Sequence, residues 1–181
     1  VYTDKDDAWI EVRFGFTDWV GDRFTYVSER EGWRQLYLVS RDGEAKKVTR
    51  GKYDIVRMLK VDAKNNCAYF MASPKNATER YLYRIGLDGK GLKRLSPAKQ
   101  RGSHSYSISP DAKWAVHTFS SIQSPPVTQL IKLPTHETVR VFEDNKALRA
   151  KVKTLAQPKR EFFKIDIGDG VKVDAYAVLP P

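Results

Sequence analysis

The 181 residues carry 32 Lys and Arg against 22 Asp and Glu, a formal net charge of +10 with a pI near 9.6. A chain of this length holds one domain with a real core, no apolar run reaches the length of a membrane-spanning helix, and Val1 opens no signal-peptide pattern. Cys67 is alone, which excludes an intrachain disulfide; within its apolar strand it reads as a small buried residue.

In chain order, the first predicted strands are Phe24-Thr25-Tyr26-Val27-Ser28 and Gln35-Leu36-Tyr37-Leu38-Val39, both alternating, followed by a basic strand, Ala45 to Thr49, that ends at Gly51. A second set follows: Val56 to Val61, Cys67 to Met71, Tyr81 to Leu87 and Leu92 to Leu95. The third set is His104 to Ser109, Trp114 to Phe119, Val127 to Leu133 and Val139 to Phe142. Leu36-Tyr37 with Asp42-Gly43 recurs as Leu82-Tyr83 with Asp88-Gly89, each pair displaced by 46 residues. Glycine tolerates the positive φ that a tight hairpin needs. Four strands per repeat, joined by short Gly, Asp, Asn and Pro turns, is the pattern of a propeller blade; a β-sandwich has similar spacing but no fixed period. The predicted fold is all-β: a partial propeller of about three four-stranded antiparallel blades.

The texture changes after Phe142. Leu148, Val152 and Leu155 lie on one side of a predicted helix from Lys146 to Ala156, with Asp144 or Asn145 as N-cap and Pro158 as stop. Glu161 to Ile167, Gly168-Asp169-Gly170 and Val171 to Leu179 read as a β-hairpin. The domains are thus drawn as blades over 1–144, a helical linker over 145–160 and a hairpin over 161–181.

Several segments resemble one family. Phe24 to Leu38 with Ser28-Glu29-Arg30-Glu31-Gly32-Trp33, Thr49 to Val56, Ser107-Ile108-Ser109-Pro110-Asp111 with Trp114, His117 to Ser121 through Pro125-Pro126, and Val141 to Leu148 with the hairpin to Pro181 are similar to dipeptidyl peptidase IV and its relatives, serine peptidases of the prolyl oligopeptidase type. The resemblance implies an eight-bladed propeller capping an α/β-hydrolase domain in a parent that removes N-terminal dipeptides, often after Pro or Ala. This chain would be the last blades and the first hairpin of the hydrolase domain. Its expected partners are peptide substrate and the remaining blades and hydrolase domain of the parent. No cofactor is expected. A periplasmic or envelope location is implied by the resemblance alone.

The family's Gly-x-Ser-x-Gly elbow does not occur here, so no catalytic residue is assigned. Ser103 beside His104 lacks the strand–elbow–helix context. Glu29 and Glu31 flank Arg30 in a strand-end turn and are not the acidic pair that holds the substrate amine. Trp9 and Arg13 occupy a stretch comparable to one that approaches the extended substrate pocket, and are the candidate substrate-binding residues; a core role for Trp9 and a solvent role for Arg13 compete with that reading. His104, His117 and His136 are too far apart in sequence to suggest a metal site, and His104 and His117, which fall in strand patterns, read as satisfied structural histidines. Trp19, Trp33 and Trp114 read as blade packing, and Asn76-Ala77-Thr78, although a glycosylation pattern, as a loop.

Lys and Arg come in ones and twos, such as Lys46-Lys47 and Lys93-Arg94, which fits a solvated surface better than a groove-reading element. Two other classes remain open: a stand-alone propeller scaffold that binds proteins, and a basic nucleic-acid-binding β domain. Three blades cut from a ring leave faces uncovered, so self-association is expected, opposed by the +10 charge.

Overall fold

The computed structural model describes residues 2–5, 7, 9–10, 18–121, 124–155 and 158–180. Three four-stranded antiparallel sheets follow one another along the chain. Blade 1 contains β1 (Trp19–Val20), β2 (Arg23–Ser28), β3 (Gln35–Val39) and β4 (Ala45–Lys47). Blade 2 contains β5 (Ile55–Asp62), β6 (Cys67–Ala72), β7 (Tyr81–Gly86) and β8 (Lys93–Arg94). Blade 3 contains β9 (Ser103–Ile108), β10 (Trp114–Ser121), β11 (Ser124–Lys132) and β12 (Thr138–Glu143). Each sheet is a meander whose spatial order is its chain order. The predicted all-β partial propeller is the observed fold.

The repeated Asp-Gly pairs make the same turn twice. Gly43 N–H donates to the Ser40 carbonyl at 3.0 Å and Ser40 N–H to the Glu44 carbonyl at 2.9 Å; Gly89 and Gly86 repeat both bonds, to Gly86 and Lys90, at 2.9 and 2.8 Å. Gly43 has φ 90° and Gly89 φ 86°, the left-handed position of a three-residue hairpin closed by a bulge. In blade 3 the equivalent turn is one residue longer. Lys132 N–H donates to the Glu137 carbonyl at 2.9 Å, and the left-handed position is held by His136, at φ 63°.

β6 explains how the blades stack. Its six residues, Cys-Ala-Tyr-Phe-Met-Ala, are all buried. Alternation along the strand divides them between two cores. Ala68, Phe70 and Ala72 join Leu36, Leu38, Val48, Ile55 and Ile85 in the seam between blades 1 and 2. Cys67, Tyr69 and Met71 join Leu82, Tyr106, Ala115 and Ile131 in the seam between blades 2 and 3. A strand covered on both faces reads as a continuous apolar run rather than as an alternating one. Cys67 is buried, as its strand context suggests.

The three tryptophans read as blade packing are covered to different degrees. Trp19 is 60% and Trp33 39% exposed, and Trp114 is half-buried. Trp19 lies on the two-residue edge strand of blade 1, tilted on Phe24 with ring centroids 5.5 Å apart. Trp33 stands in the turn before β3, outside the ladder.

A helix, α1 (Lys146–Lys153), and a hairpin of β13 (Lys159–Asp166) and β14 (Lys172–Leu179) follow the blades. The helix stops well before Pro158. Thr154 caps it, its hydroxyl donating to the Lys151 carbonyl at 2.8 Å. At the other end Asn145 is left-handed and makes no side-chain cap, while the Asp144 carboxylate accepts the Lys146 N–H at 2.8 Å. In the hairpin, Phe163, Ile165 and Val173 share one face and all three are exposed.

Candidate functional site

Among the described residues, two clefts and one buried polar cluster gather polar and charged side chains. The first cleft, about 580 Å³, runs along β5 and β9 and is walled by Arg57, Lys60, Asp18, Ser105, Ser107 and Thr118. Strand alternation puts Ser105 and Ser107 on the exposed side of β9, while His104 and Tyr106 turn inward. This wall is polar and net basic. The second cleft, about 620 Å³, lies between the loops of blades 2 and 3 and the hairpin, with Glu79, Arg101, Arg160, Phe162, Lys164 and Asp174 among its walls. Glu79 is buried and its carboxylate accepts from Arg101 Nε at 2.9 Å; Lys164 pairs with Asp174 at 2.9 Å. Gly102 permits this arrangement. At φ 146° it passes so close to Ser120 that a Cβ would lie 2.5 Å from the Ser120 carbonyl oxygen.

The polar cluster sits in the seam between blades 2 and 3. His104 Nδ1 lies 2.9 Å from His117 Nε2, and their rings stack at 5.1 Å and 8°. The Tyr106 ring stacks on His117 at 4.5 Å, and its hydroxyl reaches His136 Nε2 at 2.9 Å and Ser96 Oγ at 2.8 Å. Tyr81 of blade 2 lies tilted against His104 at 5.6 Å, and the Arg94 guanidinium sits over the Tyr81 ring, 3.4 Å from its centroid. His104 and His117 are 4% and 0% exposed. Burial pushes all three imidazoles below the ordinary histidine range, His117 furthest, down to about 3, with the neighbouring imidazoles adding to the shift there. Burial likewise raises the Tyr106 phenol.

Spacing along the sequence concealed this cluster. The register reveals it, since β9 pairs with β10 so that His117 opposes Tyr106, and β11 brings Gln129 opposite His117. A sequence signal existed in the third repeat, where His136 stands one residue past the position a further 46-residue step from Gly89 would give. The expectation that His104 and His117 are structural and hydrogen-bonded matches their environment. Among the described residues, no group of three or more His, Cys, Asp or Glu is placed to hold a metal ion.

Of the candidate substrate residues, Trp9 is 78% exposed. Arg13 lies outside the described residues. Glu29 and Glu31 are engaged locally, Glu29 with Arg34 at 2.5 Å and Glu31 with Lys47 at 2.6 Å and with the Tyr37 hydroxyl at 2.9 Å. Ser103 is an exposed first residue of β9, with no elbow around it. Among the described residues no helix is long and apolar enough to cross a membrane.

Residues 1–126 match the family model described as the dipeptidyl peptidase IV (DPP IV) N-terminal region. The chain is 26% identical over 183 residues to a dipeptidyl peptidase 4 of Trichophyton rubrum and, equally, to one of Arthroderma otae; each alignment covers 98% of this chain and 24% of the relative. The crystal structure of Porphyromonas gingivalis dipeptidyl peptidase 4 superposes with a TM-score of 0.78 at 24% identity, over 89% of this chain and 23% of that one. The chain therefore spans about a quarter of the length of the curated relatives it matches.

Proposed function

The chain belongs to the dipeptidyl peptidase IV N-terminal region family, and from that premise we propose that it is the propeller part of a serine-type dipeptidyl peptidase. In this reading the parent removes dipeptides from peptide N-termini. Its nucleophile, general base and orienting carboxylate stand on a hydrolase domain, and this chain contributes no catalytic residue. The blades form a wall that restricts access to the site, with the groove along β5 and β9 facing the passage. Residues 1–144 are the blades, and the hairpin after them is the first piece of the hydrolase domain. Export to a periplasm or cell envelope belongs to the same proposal.

The observation that carries the reading is the alignment of 98% of this chain, blades and hairpin together, with dipeptidyl peptidases 4. A free-standing scaffold would have no reason to share the hairpin. The test is release of chromophore from dipeptide-anilide substrates with Pro or Ala in the second position. The purified 181-residue chain is expected to release none, and the whole product of its gene to release it through a serine in a Gly-x-Ser-x-Gly element. Turnover that stays with the short chain through repeated purification would overturn the division of labour. A whole gene product without that element would overturn the peptidase reading itself.

A further inference from the structure

The donors and acceptors of the histidine cluster can be assigned from groups that have only one role. The Gln100 carbonyl can only accept, so His104 Nε2, 3.0 Å away, carries the proton. In a neutral ring Nδ1 of His104 is then an acceptor, and it takes the Nε2–H of His117 at 2.9 Å. His117 Nδ1 is in turn an acceptor and takes an N–H of the Gln129 amide at 3.1 Å. Gln129 is held in that orientation because its oxygen accepts from the Thr138 hydroxyl at 3.2 Å. A second branch runs from the Leu82 N–H to Ser96 Oγ at 2.7 Å, from Ser96 to the Tyr106 hydroxyl, and from Tyr106 to His136 Nε2. Every assigned bond is satisfied with all three rings neutral.

An added proton meets a different situation. On His104 or His117 it ends as an N–H facing the Gln129 amide N–H, unless that amide turns over and exchanges its role with Thr138. The charge itself is then enclosed between two blades. The charged and titratable groups that face it are Arg94 and Tyr81 from blade 2, Tyr106 beside it, and His136 across it. Glu79 is an acidic group that acts on His104 from the blade 2 side, but Arg101 already engages its carboxylate. Lys132 and Glu137 flank His136 on its turn and pair with each other at 3.8 Å. The surroundings are thus cationic or already neutralised, and a buried charge without a counter-charge is strongly disfavoured.

The backbone gives an independent indication. Blades 1 and 2 place glycine at the left-handed position of this turn, whereas blade 3 places His136 there at φ 63°. A non-glycine residue held in that region tends to mark a place where the side chain is needed. Here the side chain reaches back to Tyr106, inside the seam.

We propose that this stack makes the junction of blades 2 and 3 an acid-sensitive latch: the seam is closed while the three imidazoles are neutral, and their protonation releases blade 3 from blade 2. The proposal does not depend on the peptidase reading. Its sign follows from linkage. Histidines held neutral in the closed state and ordinary in the open one favour opening as pH falls below the free histidine value, about 6.5. Each proton so linked changes the open-to-closed ratio about tenfold per pH unit down to the pKa of the closed state. Half-buried His136 and Gln129 give the stack its route to solvent.

The test is hydrogen exchange of the full chain between pH 7.5 and 5, corrected for the intrinsic pH dependence of exchange, with a parallel nitrogen-15 titration of the imidazoles. Protection of amides in β9 and β10 is expected to fall at least tenfold over the last pH unit, while β2 and β3 keep theirs. Gln129→Glu provides both an acceptor for a His117 Nδ1–H and the missing negative charge. It is expected to keep the stack protonated and the seam closed to lower pH. His136→Asn, suited to the left-handed turn, is expected to reduce the steepness by up to one proton. If both seams lose protection together, or the nitrogen-15 titration finds the rings protonated at pH 6 with β9 and β10 still protected, the latch is wrong; the wild-type measurements decide this even where a variant does not fold. An unchanged acid profile in folded Gln129→Glu would overturn it equally.

Discussion

The seam between blades 1 and 2 and the seam between blades 2 and 3 use opposite faces of one strand, β6, yet are closed by different chemistry. The first is a run of aliphatic and aromatic contacts around Phe70, Leu36, Ile55 and Ile85. The second has an apolar part around Met71, Leu82 and Ile131, continued by three imidazoles, a phenol and a serine hydroxyl. Apolar burial responds little to pH because no proton is exchanged. A seam of neutral titratable groups is stable only over the pH range in which they stay neutral. The repeat therefore fixes where blades meet, while the side chains on each face decide under what conditions they do.

Substitutions can break that comparison. Phe70→Ala removes a large, fully buried side chain of the first seam and is expected to cost about 3–5 kcal/mol, read as a lower midpoint in urea unfolding at pH 7.5. Its effect is expected to be the same at pH 5.5 and 7.5 relative to the parent chain measured at each pH; a strongly pH-dependent difference would contradict the division between seams. Tyr106→Phe keeps the stacking ring but removes the hydroxyl shared by Ser96 and His136, at an expected cost of about 1–3 kcal/mol for the unsatisfied groups left behind. Hydrogen exchange is expected to place that loss in β9 to β11 and leave blade 1 unaffected. Lys47→Ala removes the half-buried partner of exposed Glu31 at the edge of blade 1 and is expected to change stability by no more than about 1 kcal/mol. A larger loss in the same urea titration would show that the surface pair supports the first seam.

Much of the architecture was legible because it rests on local rules. Asp42-Gly43 and Asp88-Gly89 announce the same turn, and alternation in residues 24–28 and 35–39 marks strands whatever they pack against. The hairpin was legible for the same reason, with Gly168 and Gly170 both at positive φ around Asp169. The helix was overextended because Leu155 continues the apolar spacing, whereas Thr154 ends the hydrogen-bonded run at Lys153. Trp19 and Trp33 were legible as packing residues by type alone, and an edge strand and a turn give each only one side to pack on within this chain. The histidine cluster was hidden for a different reason: 13 residues separate His104 from His117 and 19 separate His117 from His136, and only strand register converts those intervals into contacts. Trp9 and Arg13 rested on likeness alone, with no local pattern that fixes a substrate contact.

The strand that joins both cores has a further consequence before the cores exist. Cys67 to Ala72 is a six-residue segment with no charge, no proline and no glycine, with two aromatic residues that favour extended structure at its centre. Segments of that composition stack into cross-β ladders when several unfolded chains meet. In the finished molecule β5 and β7 occupy both of its edges. During synthesis, β7 follows only after the loop that contains Asn76 and Glu79, so the segment's second edge stays open until that loop has been made. The surplus of positive charge keeps nascent chains apart during that interval. The surface basicity can thus serve as protection for this uncharged strand.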